Sequence, residues 1–191
     1  MVVSEGDSIS VTWGGNYTGM YAKSRDDIEF HGMAKGGSGL SGLEKRLPDV
    51  LAFKPDLVSI LIGANDLAEY ETADAYAERL KAYVDEVKAS GASVVVGTVL
   101  PKQTALVDRS AKHNRLRAAL SDILKEADWV DGIFDVGAEE EMGPDFAPND
   151  RTLYTDGIHP TDGTHGVGEG GQRKLFRVYQ PVMDEFAKDV R

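Results

Sequence analysis

The chain has 191 residues, 41% of them apolar and 28% charged, which suits one folded unit with a sizeable core. Its 21 Lys and Arg against 32 Asp and Glu leave a net charge of −11, a field that repels nucleic-acid backbones, anionic lipid surfaces and polyanionic substrates. With no cysteine, disulfides, thiolate nucleophiles and Cys-ligated metal centres are excluded, and no apolar stretch approaches the roughly 20 residues of a membrane helix.

Apolar and β-branched runs alternate with helical patterns along the chain. Residues 2–6 predict a first strand and residues 28–33 a second, weaker one. Asp56-Leu57-Val58-Ser59-Ile60-Leu61-Ile62 predicts a third, with the near-continuous apolar character of a strand buried on both faces. Residues 92–100, around Val94-Val95-Val96, predict a fourth, and residues 129–136 a fifth. Between them, Leu43, Leu47, Val50 and Leu51 share one helical face. Tyr76, Leu80, Val84 and Val87 share another. Leu116, Leu120, Ile123 and Leu124 mark a third helix, and Leu175, Val178, Val182 and Phe186 a last one. Spacings of three and four are those of helices lying on a sheet. Alternation of this kind implies right-handed crossovers and a mostly parallel five-stranded sheet in a three-layer α/β/α arrangement. With no repeat and no break in composition, residues 1–191 read as a single domain. Met1-Val2-Val3-Ser4-Glu5 lacks the basic-then-apolar pattern of a secretion signal, as expected of a cytoplasmic chain or of a secreted one already trimmed. Residues 137–171 break the rhythm, with eight glycines and little periodicity, and a connection this long is usually functional or mobile.

Four pieces carry chemistry, and in an open parallel sheet all fall at the carboxyl edge of the strands, where ligands bind. Gly6-Asp7-Ser8 follows the first strand and places Ser8 near a helix start, its hydroxyl in a cleft and its N–H toward an incoming oxygen. Taken alone, the tripeptide is equally a helix cap. Gly36-Gly37-Ser38-Gly39-Leu40-Ser41-Gly42 follows the second strand. Gly37, Gly39 and Gly42 fit the dinucleotide pattern G-x-G-x-x-G, but the acidic residue that pattern needs would be Asp56, at the opposite edge of the sheet. A backbone N–H that stabilises an oxyanion explains the glycines equally well. Gly63-Ala64-Asn65-Asp66 follows the third strand, where Asn65 can donate into the cleft and Asp66 can cap the next helix. In Asp156-Gly157-Ile158-His159-Pro160, a carboxylate three residues before an imidazole can hold its Nδ1–H and leave the other nitrogen as a general base. A metal site of Asp156, His159 and His165 is the alternative there. His31 and His113 lack such neighbours and read as surface or satisfied structural residues. Trp13 and Tyr17 either stack on substrate or belong to the core.

In this order, the four pieces resemble the SGNH hydrolases, also called the GDSL esterase/lipase family. Gly6-Asp7-Ser8 matches the nucleophile block, Gly63-Ala64-Asn65-Asp66 the Gly-x-Asn-Asp block and Asp156-Gly157-Ile158-His159-Pro160 the Asp-x-x-His block. The resemblance implies a flavodoxin-like fold and a serine esterase without cofactor or metal. Ser8 would be the nucleophile, His159 the base and Asp156 its orienting carboxylate. The N–H groups of Ser8 and Gly39 and the amide of Asn65 would form the oxyanion hole, with Gly42 as the alternative to Gly39. The expected substrate is a small-molecule or carbohydrate ester with a short acyl group, such as an O-acetyl sugar. A lipase or thioesterase of the same family, or a nucleotide-binding protein using Gly37, Gly39 and Gly42, are the alternatives. The chain departs from the family in two places. No Asn precedes the glycine block, and residues 161–171, with five glycines and His165, delay the last helix as a mobile flap or an interface element would.

Overall fold

In the computed structural model, which describes residues 1–162 and 169–190, strand and helix alternate from end to end. The elements are β1 (Val2–Gly6), α1 (Tyr17–Ser24), β2 (Phe30–Gly32), α2 (Leu40–Ala52), β3 (Leu57–Leu61), α3 (Ala73–Ala89), β4 (Ser93–Gly97), α4 (Val107–Glu126), β5 (Gly132–Phe134) and α5 (Gly171–Phe186). All strand pairs are parallel, in the order β2-β1-β3-β4-β5. The central register sets Val2 beside Leu57 and Gly6 beside Leu61, so the carboxyl ends of β1 and β3 lie side by side.

Side chains alternate across the sheet with the two-residue period of a strand. Val3, Val58, Ile60, Val94 and Val96 pack with the apolar faces of α2, α3 and α4. Val2, Leu57, Leu61, Val95 and Phe134 pack on the other side with Tyr17 and Tyr21 of α1 and Leu175, Tyr179 and Met183 of α5. Helices therefore cover both faces, giving the three-layer α/β/α fold. The second layer carries an aromatic cluster, with Tyr17, Tyr21 and Phe134 all meeting Tyr179 edge-on at 4.9–5.4 Å. Among the described residues, no helix is long and apolar enough to cross a membrane.

Two local expectations are corrected. Ser8 does not open a helix: α1 begins only at Tyr17, and Asn16 caps it by accepting the Gly19 N–H at 2.9 Å. Tyr-Thr-Gly-Met-Tyr-Ala-Lys-Ser is short and contains glycine, and its buried residues Tyr17, Thr18, Gly19 and Tyr21 include no aliphatic side chain, so its pattern does not announce a helix. Strands β2, β4 and β5 are also shorter than the runs that predict them, because pairing ends where the flanking loops turn away.

His113 lies 1% exposed inside α4 with its Nε2 3.0 Å from the Leu100 carbonyl. Burial drives its pKa down to about 4, against partial compensation from that carbonyl. The folded value lies below the unfolded one near 6.5, so the unfolded chain binds the proton first as the medium is acidified. The stability this neutral imidazole contributes is present above about pH 6.5 and is lost between there and about pH 4, to the extent of about 3 kcal/mol. Asp7, pushed up to about 6, works in the opposite sense over much of the same range, so the two are separated by difference. Urea unfolding of wild type and His113→Gln at pH 7.5 and 5 should show a stability gap that shrinks toward acid. A gap independent of pH would remove His113 from the linkage.

Candidate active site

Gly6 ends β1 with φ at +151°, and a Cβ there would sit 2.3 Å from the Leu61 carbonyl oxygen of the neighbouring strand. Only glycine lets the chain leave the sheet this close to β3. The next residue is buried: the Asp7 carboxylate accepts the Ile9 N–H at 3.0 Å and also the Ala64 N–H, tying the turn that carries Ser8 to the loop after β3. Burial pushes its pKa up to about 6, while those two N–H groups and the nearby His159 pull it down. The turn is closed by the Ser10 N–H on the Asp7 carbonyl at 3.1 Å.

Ser8 Oγ lies 2.8 Å from His159 Nε2, although 151 residues separate them. On the far side of the ring, Nδ1 is 2.7 Å from Asp156 Oδ2. The other oxygen, Oδ1, accepts the backbone N–H groups of Ile158 and His159 at 3.0 and 2.9 Å. Burial raises the Asp156 pKa, but the His159 N–H, the imidazole and the Ile158 N–H together outweigh it and hold the carboxyl below the usual range. An acceptor-only carboxylate at Nδ1 fixes the proton there and leaves Nε2 to accept from the Ser8 hydroxyl. The block is fastened to the loop after β4, where the Gln103 N–H meets the Gly157 carbonyl at 2.9 Å.

The loops after β2 and β3 are joined twice. Asn65 Nδ2 donates to the Ser38 carbonyl at 2.9 Å, which orients the amide and uses one of its two N–H bonds. Asp66 does not cap the turn that follows it, Leu67–Glu69. Its carboxylate reaches across to the Leu40 N–H at 2.7 Å, capping α2, and takes the Tyr76 hydroxyl at 3.3 Å. A Cβ on Gly39 would meet this carboxylate at 2.2 Å, so glycine is needed for close approach rather than flexibility. Gly36 runs over the nucleophile turn, with Ser8 Cβ 3.8 Å from where its own Cβ would be. The Gly42 N–H closes the first turn of α2 on the Gly39 carbonyl at 2.9 Å, and is thereby consumed. Asp56 sits at the amino end of β3, bonded to the N-terminal amine at 2.6 Å, on the edge away from the glycines.

Other expectations sort as follows. Tyr17 is core, its hydroxyl 2.6 Å from Ser10 Oγ, whereas Trp13 is 48% exposed. His31 in β2 pairs with Glu29 and lies against Phe53. His165 and the centre of the 161–171 stretch, read above as a metal ligand and a flap, lie outside the described residues. The two ends of that stretch meet, with the Gly171 and Gln172 N–H groups on Thr161 Oγ1 and O at 3.0 and 2.8 Å. No group of three metal-ligating side chains is found among the described residues.

One supporting network escapes a sequence reading. Arg46 of α2 reaches under the site to Glu5 Oε2 at 2.7 Å, the Gly6 carbonyl at 3.2 Å and Ser38 Oγ at 2.8 Å. Glu5 is fully buried, and its carboxyl is raised by burial against the pull of Arg46. No spacing rule pairs an arginine with a strand glutamate 41 residues away; the apolar stripe of α2 only marks which face of that helix meets β1.

The described edge is that of a hydrolase built on an open parallel sheet, with a serine, an imidazole and a carboxylate in one hydrogen-bonded row. The chain belongs to the GDSL-like lipase/acylhydrolase family, whose sequence pattern matches residues 6–167. As a member it is a serine ester hydrolase. No curated protein sequence matches the chain. Among solved structures, a lipolytic protein of the G-D-S-L family from Desulfitobacterium hafniense DCB-2 superposes with a TM-score of 0.73 at 18% identity, covering 94% of this chain and 97% of that one. The psychrotrophic esterase EstA from Pseudoalteromonas sp., in a structure inhibited by monoethylphosphonate, gives 0.70 at 16% identity and covers 98% of each chain. The acetyl xylan esterase AlAXEase gives 0.68 at 20% identity, covering 95% of this chain and 98% of that one. These likenesses concern the fold.

Proposed function

We propose that the chain hydrolyses short-acyl carboxylic esters, O-acetyl groups on carbohydrate among them, through a Ser8–His159–Asp156 triad and an acyl-enzyme. The observation that carries this reading is the continuous row of Asp156, His159 and Ser8 at 2.7 and 2.8 Å. Ser8 Oγ attacks the ester carbonyl as Nε2 of His159 takes its proton, and Asp156 stabilises the imidazolium that forms. The tetrahedral oxygen is held by the N–H groups of Ser8 and Gly39 and the second N–H of Asn65. The imidazolium protonates the departing alcohol; the neutral imidazole then takes a proton from water as it attacks the acyl-Ser8 ester, and returns it to Ser8 Oγ as the acid leaves. Exposed Trp13, close in sequence to Ser8, offers a face on which a sugar can stack. The likeness to an acetyl xylan esterase supports the acetyl-sugar choice.

A serine-directed fluorophosphonate should label Ser8, and a chain-length series of nitrophenyl esters run beside acetylated xylose should be turned over best at the acetyl end. Absence of labelling, or labelling at another serine, would overturn the assignment. A second outcome concerns the oxyanion. Removing one such donor costs about 2.7–4 kcal/mol, so Asn65→Ala should lower kcat by roughly 10²–10³ with little change in KM. A rise in KM alone would give Asn65 a role in substrate binding instead.

A further inference from the structure

A cavity of about 340 Å³ opens next to Asn65 and is lined by it and by Lys102, Thr104, Leu106, Arg109 and Ile158 among others. It touches both halves of the site, because Asn65 carries the oxyanion amide and Ile158 precedes His159. Its walls are mixed: Leu106 and Ile158 are apolar, yet two cations converge there in a chain whose net charge is −11. Lys102 Nζ donates to the Ala64 carbonyl at 2.8 Å, and Arg109 Nη2 donates to the Asn65 carbonyl at 3.2 Å. Arg109 also meets Glu69 at 2.9 Å, which offsets part of its charge. Lys102 differs: among the described residues no carboxylate lies within ion-pair distance of it. An ammonium has three donors, and one carbonyl uses one of them.

Resting on the ester-hydrolase reading above, we infer that this cavity is a subsite for an anionic group on the substrate, received by Lys102 with Arg109 beside it. An ester with a carboxylate a few carbons from the scissile carbonyl fits such a cavity: the apolar wall takes the methylenes and the ammonium takes the charge. The acidic surface does not forbid this. Exposed charges are screened beyond about 8 Å at physiological ionic strength, whereas a contact inside a half-buried cleft is not. Lys102 is half-buried, and burial, with the charge of Arg109 second, holds its pKa below the ordinary lysine value, against a pull upward from Asp7. A bound carboxylate supplies the counter-charge that this position lacks.

The test compares closely related esters with and without the charge. On the acyl arm these are the nitrophenyl monoester of glutarate and nitrophenyl valerate; on the alcohol arm, O-acetylglycolate and its methyl ester. The wild type should prefer the anionic member of one pair by about tenfold or more in kcat/KM, the pair showing which arm enters the cavity. Lys102→Met keeps the apolar stem and should bring that ratio close to one, and Arg109→Gln, at an exposed position, should lower it by a smaller factor. Raised salt should lower the ratio as well. Equal losses on charged and neutral esters in Lys102→Met would overturn the subsite and leave Lys102 as a support for the Ala64 carbonyl. So would a wild type that prefers the neutral member of both pairs. Failure to hydrolyse any of the four esters would instead overturn the hydrolase reading itself.

Discussion

Ser8→Ala should lower kcat on any ester the wild type hydrolyses by on the order of 10⁶, the size of loss seen when the nucleophile of a serine–histidine unit is removed. The residue left behind keeps every fixed part of the site. The Ser8 N–H, the Gly39 N–H and the Asn65 amide stay in place, since Asn65 is oriented by Ser38 and not by the serine hydroxyl. Residual turnover some 10³–10⁴ over the uncatalysed reaction is therefore expected, from water activated at His159 and from the oxyanion donors. Stability should hardly change. Ser8 Oγ makes its one named side-chain bond to His159, and the turn around it is fixed by Asp7, whose contacts to Ile9 and Ala64 do not involve the hydroxyl. Denaturation midpoints should accordingly match while kcat collapses. A variant retaining more than about a hundredth of wild-type kcat, with fluorophosphonate labelling unchanged, would move the nucleophile elsewhere.

The parts of this site legible in the sequence are those set by local chemistry. Asp156 and His159 lie three residues apart, and one turn with glycine between them suffices to join Oδ2 to Nδ1. Asn65 stands just past β3, whose apolar run marks it as buried on both faces, Ser8 stands just past β1, and parallel pairing of β1 with β3 then puts both at one edge. What the sequence hides is long-range polar contact. Asp66 looks like a cap for the residues after it, because Asp is a good cap wherever it stands. The bond it makes is to Leu40, 26 residues earlier, and only the approach of two loops decides that. Arg46 under Glu5 and Lys102 at the Ala64 carbonyl are of the same kind. Helix α1 is hidden for a different reason: it is two turns long, and what it buries is Tyr17, Thr18, Gly19 and Tyr21 rather than a stripe of aliphatic residues. Also hidden is the hydrogen bond that commits the Gly42 N–H to the first turn of α2.

Asp156→Asn should cost about 10⁴ in kcat with KM little altered, the size expected when a triad imidazole is held in the wrong tautomer. Oδ1 of the native carboxylate already serves the Ile158 and His159 N–H groups, and an asparagine carbonyl can replace it there. Its NH₂ must then face Nδ1, where Oδ2 stands at 2.7 Å in the wild type. Two donors cannot meet, so Nδ1 gives up its proton, Nε2 carries it, and no acceptor remains for the Ser8 hydroxyl. Turning the amide over would instead aim NH₂ at two backbone N–H groups, which is worse. The acid side of the wild-type rate profile follows from the same bonds. Burial raises the Asp156 pKa, but the three hydrogen bonds from His159 and Ile158 hold it below its ordinary value near 3.8. A group depressed in this way keeps its charge, and its contribution to the folded turn, until the pH falls through that lowered value. Asp156 therefore stays ionised through mildly acidic pH, and activity lost there does not come from its protonation. An Asp156→Asn enzyme within tenfold of wild type would mean that the carboxylate is not what orients His159.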